Sequence, residues 1–158
     1  MRMGVLAAAA LLSACVSVNA NVTDAPDAAL AAIENARVRE CPPGRTQANA
    51  RSGLDGQTSG VEAVDIGFVP LASDPTRSVR LRRIIVQPGG TIAWHAHDAL
   101  QGMALLVRGT MTEYRNTCLD PIVHHAGDVT REDAATAHGW RNESDEVAVI
   151  VVSHVLVR

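Results

Sequence analysis

All six histidines of this 158-residue chain lie between positions 95 and 154, and two of them, His95 and His97, stand two residues apart. Successive side chains of a β-strand alternate between faces, so this His-x-His pair projects both imidazoles to one side, where they can share a metal ion. The spacing alone also fits a solvent-facing or hydrogen-bonded pair. His124 and His125 are adjacent, so at most one can look inward, and they read as a surface pair flanking a turn. His154, in a terminal β-rich run, reads as structural. All fourteen basic residues are arginine, and the absence of lysine excludes Schiff-base and lysine-base chemistry.

The elements that must position these groups begin near Val61. Short β-rich runs at 64–69, 79–86, 103–107 and 147–155 are separated by Ser73-Asp74-Pro75, Pro88-Gly89-Gly90, Arg108-Gly109 and Ala126-Gly127-Asp128. That spacing predicts an all-β sandwich or barrel rather than alternating βα units. With aromatics at 3%, the core must be built from Val, Ile, Leu, Met and Ala. The formal charge of −3 is unclustered, which argues against a nucleic-acid groove or a membrane-surface patch.

Two stretches carry a family resemblance. Gly89, five residues, His95, one residue, His97 and then Gly109 resemble the first motif of the cupins, and Gly127, ten residues, His138, three residues, Asn142 resemble the second. The text from Glu113 to Cys118 and from Pro121 to Gly127 is similar to that of small exported single-domain bacterial cupins. The resemblance covers roughly residues 61–157 and implies an antiparallel β-barrel or jelly roll. It also implies a divalent transition metal, Fe, Mn, Ni, Cu or Zn, held by His95, His97 and His138 with positions open to a small molecule or dioxygen.

The chain departs from the family pattern where a glutamate should follow the His-x-His pair: Gln101 or Gly102 stands near that place. Gln101 is the candidate fourth ligand through its amide oxygen, with a buried hydrogen-bonding role as the alternative. In the second motif Asp133 and Ala135 replace the usual proline and glycine. Trp140 shares the inward parity of His138 and is expected to wall the pocket or pack in the core, whereas Trp94 faces the opposite way. Met103, Leu105 and Val107 continue the parity of Gln101 and are expected to line an apolar interior above the metal.

The amino terminus reads as an export signal: Arg2, a short apolar run, then small residues. It is too short to span a bilayer, which takes about 20 apolar residues. Val18-Asn19-Ala20 suits ordinary cleavage, giving a signal peptide over 1–20, whereas Leu12-Ser13-Ala14-Cys15 suits a lipoprotein signal over 1–14 with lipidation at Cys15. Either way the expected location is the periplasm or cell envelope, with membrane attachment only through a lipid at Cys15. Cys41 and Cys118 then remain in an oxidising compartment, and a bridge between them is favoured over two free thiols. Residues 21–60 form an arm: a short helix from Asp24 to about Arg39, then a tether rich in Pro and Gly. Residues 61–158 form the cupin domain, whose exposed first strand invites pairing with a second copy.

Two functions follow from the resemblance. One is a metalloprotein acting on a small molecule, as an oxygenase or isomerase, with Glu113 and Tyr114 as groups whose reach to the cavity decides whether an acid or base is at hand. The other is a non-catalytic ligand-binding or structural barrel.

Overall fold

The computed structural model describes residues 25–157; the signal-like segment and Cys15 lie outside the described residues. After a helix α1 (Ala25–Glu34), nine strands follow: β1 (Arg37–Val38), β2 (Ser59–Leu71), β3 (Asp74–Ala96), β4 (Gln101–Arg108), β5 (Thr110–Arg115), β6 (Ile122–His125), β7 (Asp128–Glu132), β8 (Ala137–Arg141) and β9 (Ala148–Val157). They form one curled sheet in the order β1-β7-β4-β9-β3-β8-β5-β6, with β2 against β3. None of the described helices is long and apolar enough to cross a membrane.

The sheet curls around one face because its strands alternate. On β9 Ala148, Ile150, Val152 and His154 are buried; on β4 Ala104 and Leu106; on β7 Asp128, Thr130 and Glu132; on β8 His138 and Trp140. Val86, Ala104, Leu106, Met111, Trp140, Ala148, Ile150 and Val152 pack together as the core. Burying each larger aliphatic side chain is worth roughly 1.5–3 kcal/mol. The polar members of the same alternation, Glu132, His138 and His154, sit beyond this apolar plug and therefore face one another.

β3 is the long spine. Its first half, Arg77 to Val86, pairs with β9, and its end, Thr91 to Ala96, pairs with β8. Pro88-Gly89-Gly90, expected as a turn between two strands, is instead a bend inside this one strand. Gly89 takes φ 73°, and a Cβ on Gly90 would lie 2.8 Å from the Gln87 carbonyl oxygen. Buried Asn142 clamps the bend: its Nδ2 donates to Val86 O at 3.1 Å and to Glu146 O at 2.7 Å, while its backbone bonds Gly89 and Gly90. The second motif's asparagine thus serves the frame.

The arm is tied to the barrel at several places. Ala32 of α1 is buried, whereas Leu30 and Ile33, the larger apolar side chains of that helix, are exposed. The helix ends before Arg39, because Arg37 and Val38 pair in parallel with Asp128 and Val129. Cys41 and Cys118 are joined as a disulfide with Cα atoms 5.6 Å apart, and Arg45 pairs with Asp120, Nη2 to Oδ1 at 2.8 Å. Between Cys41 and Thr58 the chain forms no strand beyond a single bridge from Thr46 to Cys118.

Candidate metal centre

His95 near the end of β3 stands directly opposite His138 of β8, and His97 follows where the strand stops, its N–H donating to Thr136 O at 2.9 Å. The three ring centroids are 4.7–4.9 Å apart. His97 and His138 are sealed from solvent, and His95 is half-buried. Each imidazole is oriented through Nδ1. That of His95 lies 2.9 Å from Ala93 O, that of His97 2.7 Å from Leu100 O, and that of His138 2.6 Å from Glu113 Oε1. A carbonyl or carboxylate oxygen only accepts, so Nδ1 carries the proton in all three rings and Nε2 is left with a lone pair.

Those lone pairs converge. Nε2 of His97 lies 3.0 Å from Nε2 of His138, and in the neutral tautomer that keeps the proton on Nδ1 both Nε2 atoms turn lone pairs to the same point. Trp140 Nε1 donates to Nε2 of His138 only at 3.4 Å, and two acceptor nitrogens this close in a buried site fit a shared cation. Nitrogens at right angles and about 2.1 Å from one ion are themselves about 3.0 Å apart. The neutral state that a metal requires is favoured at both flanks of the site. Burial pushes His97 down to about 4 against the opposing charge of Glu132, and burial likewise lowers His95.

Behind His138 stands Glu113, fully buried. Its Oε1 accepts from His138 and from Arg115 Nε at 2.8 Å, and its Oε2 lies 3.0 Å from His124 Nε2. Burial works to raise this carboxyl, but the bonds from His124 and His138 and the charge of Arg115 outweigh it, holding Glu113 well below the ordinary carboxylate range. His124 is therefore the inward member of its pair rather than a surface residue, while His125 is exposed.

A carboxylate does reach the front of the site, from a residue that the sequence did not mark. Glu132 is buried, with Oε1 3.6 Å from His138 Nε2 and 3.9 Å from His97 Nε2. Its Oε2 lies 2.6 Å from Nε2 of His154, whose Nδ1 faces the guanidinium of Arg80 at 3.1 Å. Arginine only donates, so Nδ1 of His154 accepts, and Nε2 carries the proton that it gives to Glu132. Burial raises Glu132, yet the hydrogen bond from His154 leads the effects that lower it overall. The signal that could have found Glu132 is the alternation Asp128, Thr130, Glu132 after Gly127. It becomes legible once β7 is known to lie beside β4.

Gln101 is not in the site. Its side chain is exposed and its Nε2 donates to Asp98 O at 2.9 Å. The inward residue is Gly102, which lies opposite both Glu132 and His154. The interior set of β4 is therefore Gly102, Ala104 and Leu106, and the expected lining by Met103 and Leu105 is corrected accordingly: Met103 is 53% exposed and Leu105 only partly buried. Trp140 is buried, its ring 5.3 Å from that of His138. Trp94, expected to face away, reaches the rim instead, because the pairing slips between Ile92 and His95. The opening is a cleft of about 300 Å³ whose walls include Arg80, Arg82, Trp94, Leu100, His95 and His97. The interior beside the site holds only about 50 Å³.

Residues 82–154 match the family profile described as the cupin domain. The crystal structure of a predicted oxalate decarboxylase from Thermotoga maritima is similar to this chain with a TM-score of 0.52 and 20% identity, over 77% of this chain and 98% of that one. The structure of KdgF from a Halomonas species is similar with a TM-score of 0.50 and 14% identity, over 70% and 92%. At such identities the likeness is one of fold. A search of curated proteins returned no match.

Proposed function

Taking as premise that the barrel of residues 82–154 is a cupin domain, we propose that it holds a divalent transition ion at His95, His97 and His138 and offers that ion to a small molecule entering the adjacent cleft. The observation that carries this reading is the buried 3.0 Å approach of Nε2 of His97 to Nε2 of His138, with the Nδ1 atom of each ring turned to an oxygen acceptor. A bound metal would supply Lewis acidity, or a place for dioxygen, as in oxygenase or isomerase chemistry. The chain's own residues fix the frame. Ala93 O, Leu100 O and Glu113 hold the three rings by Nδ1, and half-buried His95 meets whatever occupies the cleft.

The cleft wall favours an anionic group. Arg80 and Arg82 share one carboxylate, Asp65, at 3.7 and 2.5 Å, so two guanidinium charges meet one negative charge beside the opening. A small carboxylate or phosphate is the ligand class that this wall suits.

A non-catalytic binding role is the second reading, favoured by where the two expected acid–base groups lie. Glu113 is sealed behind His138, and Tyr114 points to Glu143, its hydroxyl donating to Oε1 at 2.8 Å. Export of the protein, by a signal peptide or as a lipoprotein modified at Cys15, remains part of the proposal. It is supported by the signal-like composition of residues 1–20 and by the Cys41–Cys118 pair. A homodimer through β2 is likewise proposed, supported by its exposed Val64, Ile66 and Phe68; light scattering that reports a monomer at high concentration would remove it.

The deciding test is metal content by mass spectrometry on tag-free protein, beside His97→Ala and a triple alanine variant of His95, His97 and His138. Stoichiometric metal in the wild type and its loss in the variants is the expected result. Wild-type protein that stays metal-free after reconstitution overturns the reading in favour of a metal-independent barrel.

A further inference from the structure

The family pattern places a glutamate on the strand that follows the His-x-His pair, and this chain has none there. Gln101 is turned to solvent. At Gly102, the inward position, a Cβ would lie 1.9 Å from Ser153 O and 2.7 Å from His154 Cδ2. No side chain fits at Gly102, so β4 cannot furnish the missing ligand from there. The space beside Gly102 is taken by His154 of β9, and its other pairing partner is Glu132 of β7.

We propose that Glu132 supplies the carboxylate ligand of this site from β7, through Oε1, and that His154 and Arg80 are positioning residues that aim it. This rests on the metal reading given above. Oε1 lies 3.6 and 3.9 Å from the Nε2 atoms of His138 and His97, and the donor atoms of His97, Glu132 and His154 fall within 4.8 Å of one another, as do those of the three-histidine set. Oε2 is occupied by His154, which leaves Oε1 as the oxygen turned toward the two histidines. His154 is a poor rival for the ion. Its Nε2 donates to Glu132, and turning its lone pair toward the metal would set an N–H at Nδ1 against the guanidinium of Arg80.

The arrangement makes the ligand set three imidazoles and one carboxylate, hard enough for manganese or iron as well as zinc. It also links the cleft wall to the ion: Arg80 contacts His154, His154 contacts Glu132, and Glu132 faces the centre. A ligand that draws Arg80 away removes the restraint on the His154 tautomer.

The test measures zinc affinity by chelator competition in wild type, Glu132→Gln and His97→Ala, together with a crystal structure of the zinc-loaded wild type. The expected results are Oε1 within about 2.0–2.2 Å of zinc and a zinc affinity at least tenfold weaker in Glu132→Gln. If the variant does not fold, the zinc-loaded structure decides alone. Zinc held by the histidines with Oε1 beyond about 3 Å and a water in its place overturns the assignment while leaving the three-histidine site standing. Wild type that takes no zinc, manganese or iron overturns the site itself, and Glu132 as a ligand with it.

Discussion

Glu113 Oε1 lies 2.6 Å from Nδ1 of His138, and neither residue is exposed to solvent. The pair fixes which nitrogen of His138 faces the centre. Glu113→Gln keeps the shape but removes the charge, and metal affinity is expected to fall about 10–100-fold, the range for partners of a ligating histidine. Glu113→Ala leaves Arg115 without its buried partner and should cost about 3–5 kcal/mol in urea unfolding. Unchanged metal affinity in Glu113→Gln would show that His138 needs no such partner.

The metal-free protein should lose stability on mild acidification. His97 is pushed down to about 4 by burial, below the ordinary value for an exposed imidazole near 6.5. Between those limits the unfolded chain takes a proton that the folded chain refuses, so stability is full above about 6.5 and declines as pH falls toward 4. Glu113 and Glu132, both lowered on folding, add stability present above the ordinary carboxylate range and lost as pH falls below it. Denaturation midpoints across pH 4–8 measure this, and His97→Gln should flatten the upper part of the decline. A curve of equal slope in that variant would count against the assignment to His97.

Gly102 and Gln101 offer a paired contrast. Gln101→Glu restores the family's acid in name, yet the side chain points outward, so melting temperature and metal content should be unchanged. Gly102→Ala forces a methyl against the Ser153 carbonyl at 1.9 Å and should destabilise by more than the ~1–3 kcal/mol typical of overpacking. Higher metal affinity in Gln101→Glu would mean that β4 can turn its other face inward.

This pair also marks how far the sequence could be read. The barrel was legible because β-rich runs and turn residues alternate, and His95, His97 and His138 because two motifs preserve their spacing. Parity does not carry from His97 to Gln101, because the strand stops after Ala96 and restarts at Gln101, and alternation does not survive a turn. The same limit hid Glu132, whose meaning depends on a register between β4 and β7 that local pattern does not encode. His124 against His125 was a choice between faces that only the pairing of β6 with β5 resolves. The bend at Gly89 looked like a break because its residues are those of a turn.

Reducing the Cys41–Cys118 bond should weaken the fold. The bond closes a separation of 77 residues, and removing such a cross-link typically costs about 2–4 kcal/mol through the freedom that the unfolded chain regains. Urea midpoints with and without dithiothreitol, with a Cys41→Ser and Cys118→Ser double variant as control, test this. Identical midpoints would mean that β1 and the Arg45–Asp120 pair anchor the arm unaided.

Small anions should bind the metal-loaded protein in a salt-dependent way. Calorimetry with acetate, malonate and inorganic phosphate is expected to show binding that weakens about tenfold in Arg82→Gln, with metal content unaltered. Equal affinity in that variant would remove Arg82 from recognition.

The continuity of β3 across its glycine bend makes one stretch of chain responsible for two tasks. Arg80 and Arg82 lie before the bend and His95 after it, with His97 one residue beyond the strand. Inheritance and engineering therefore meet the same unit: a graft of residues 74–97 into another barrel would carry both the grip on the incoming molecule and two of the three histidines, leaving the host to furnish the rest.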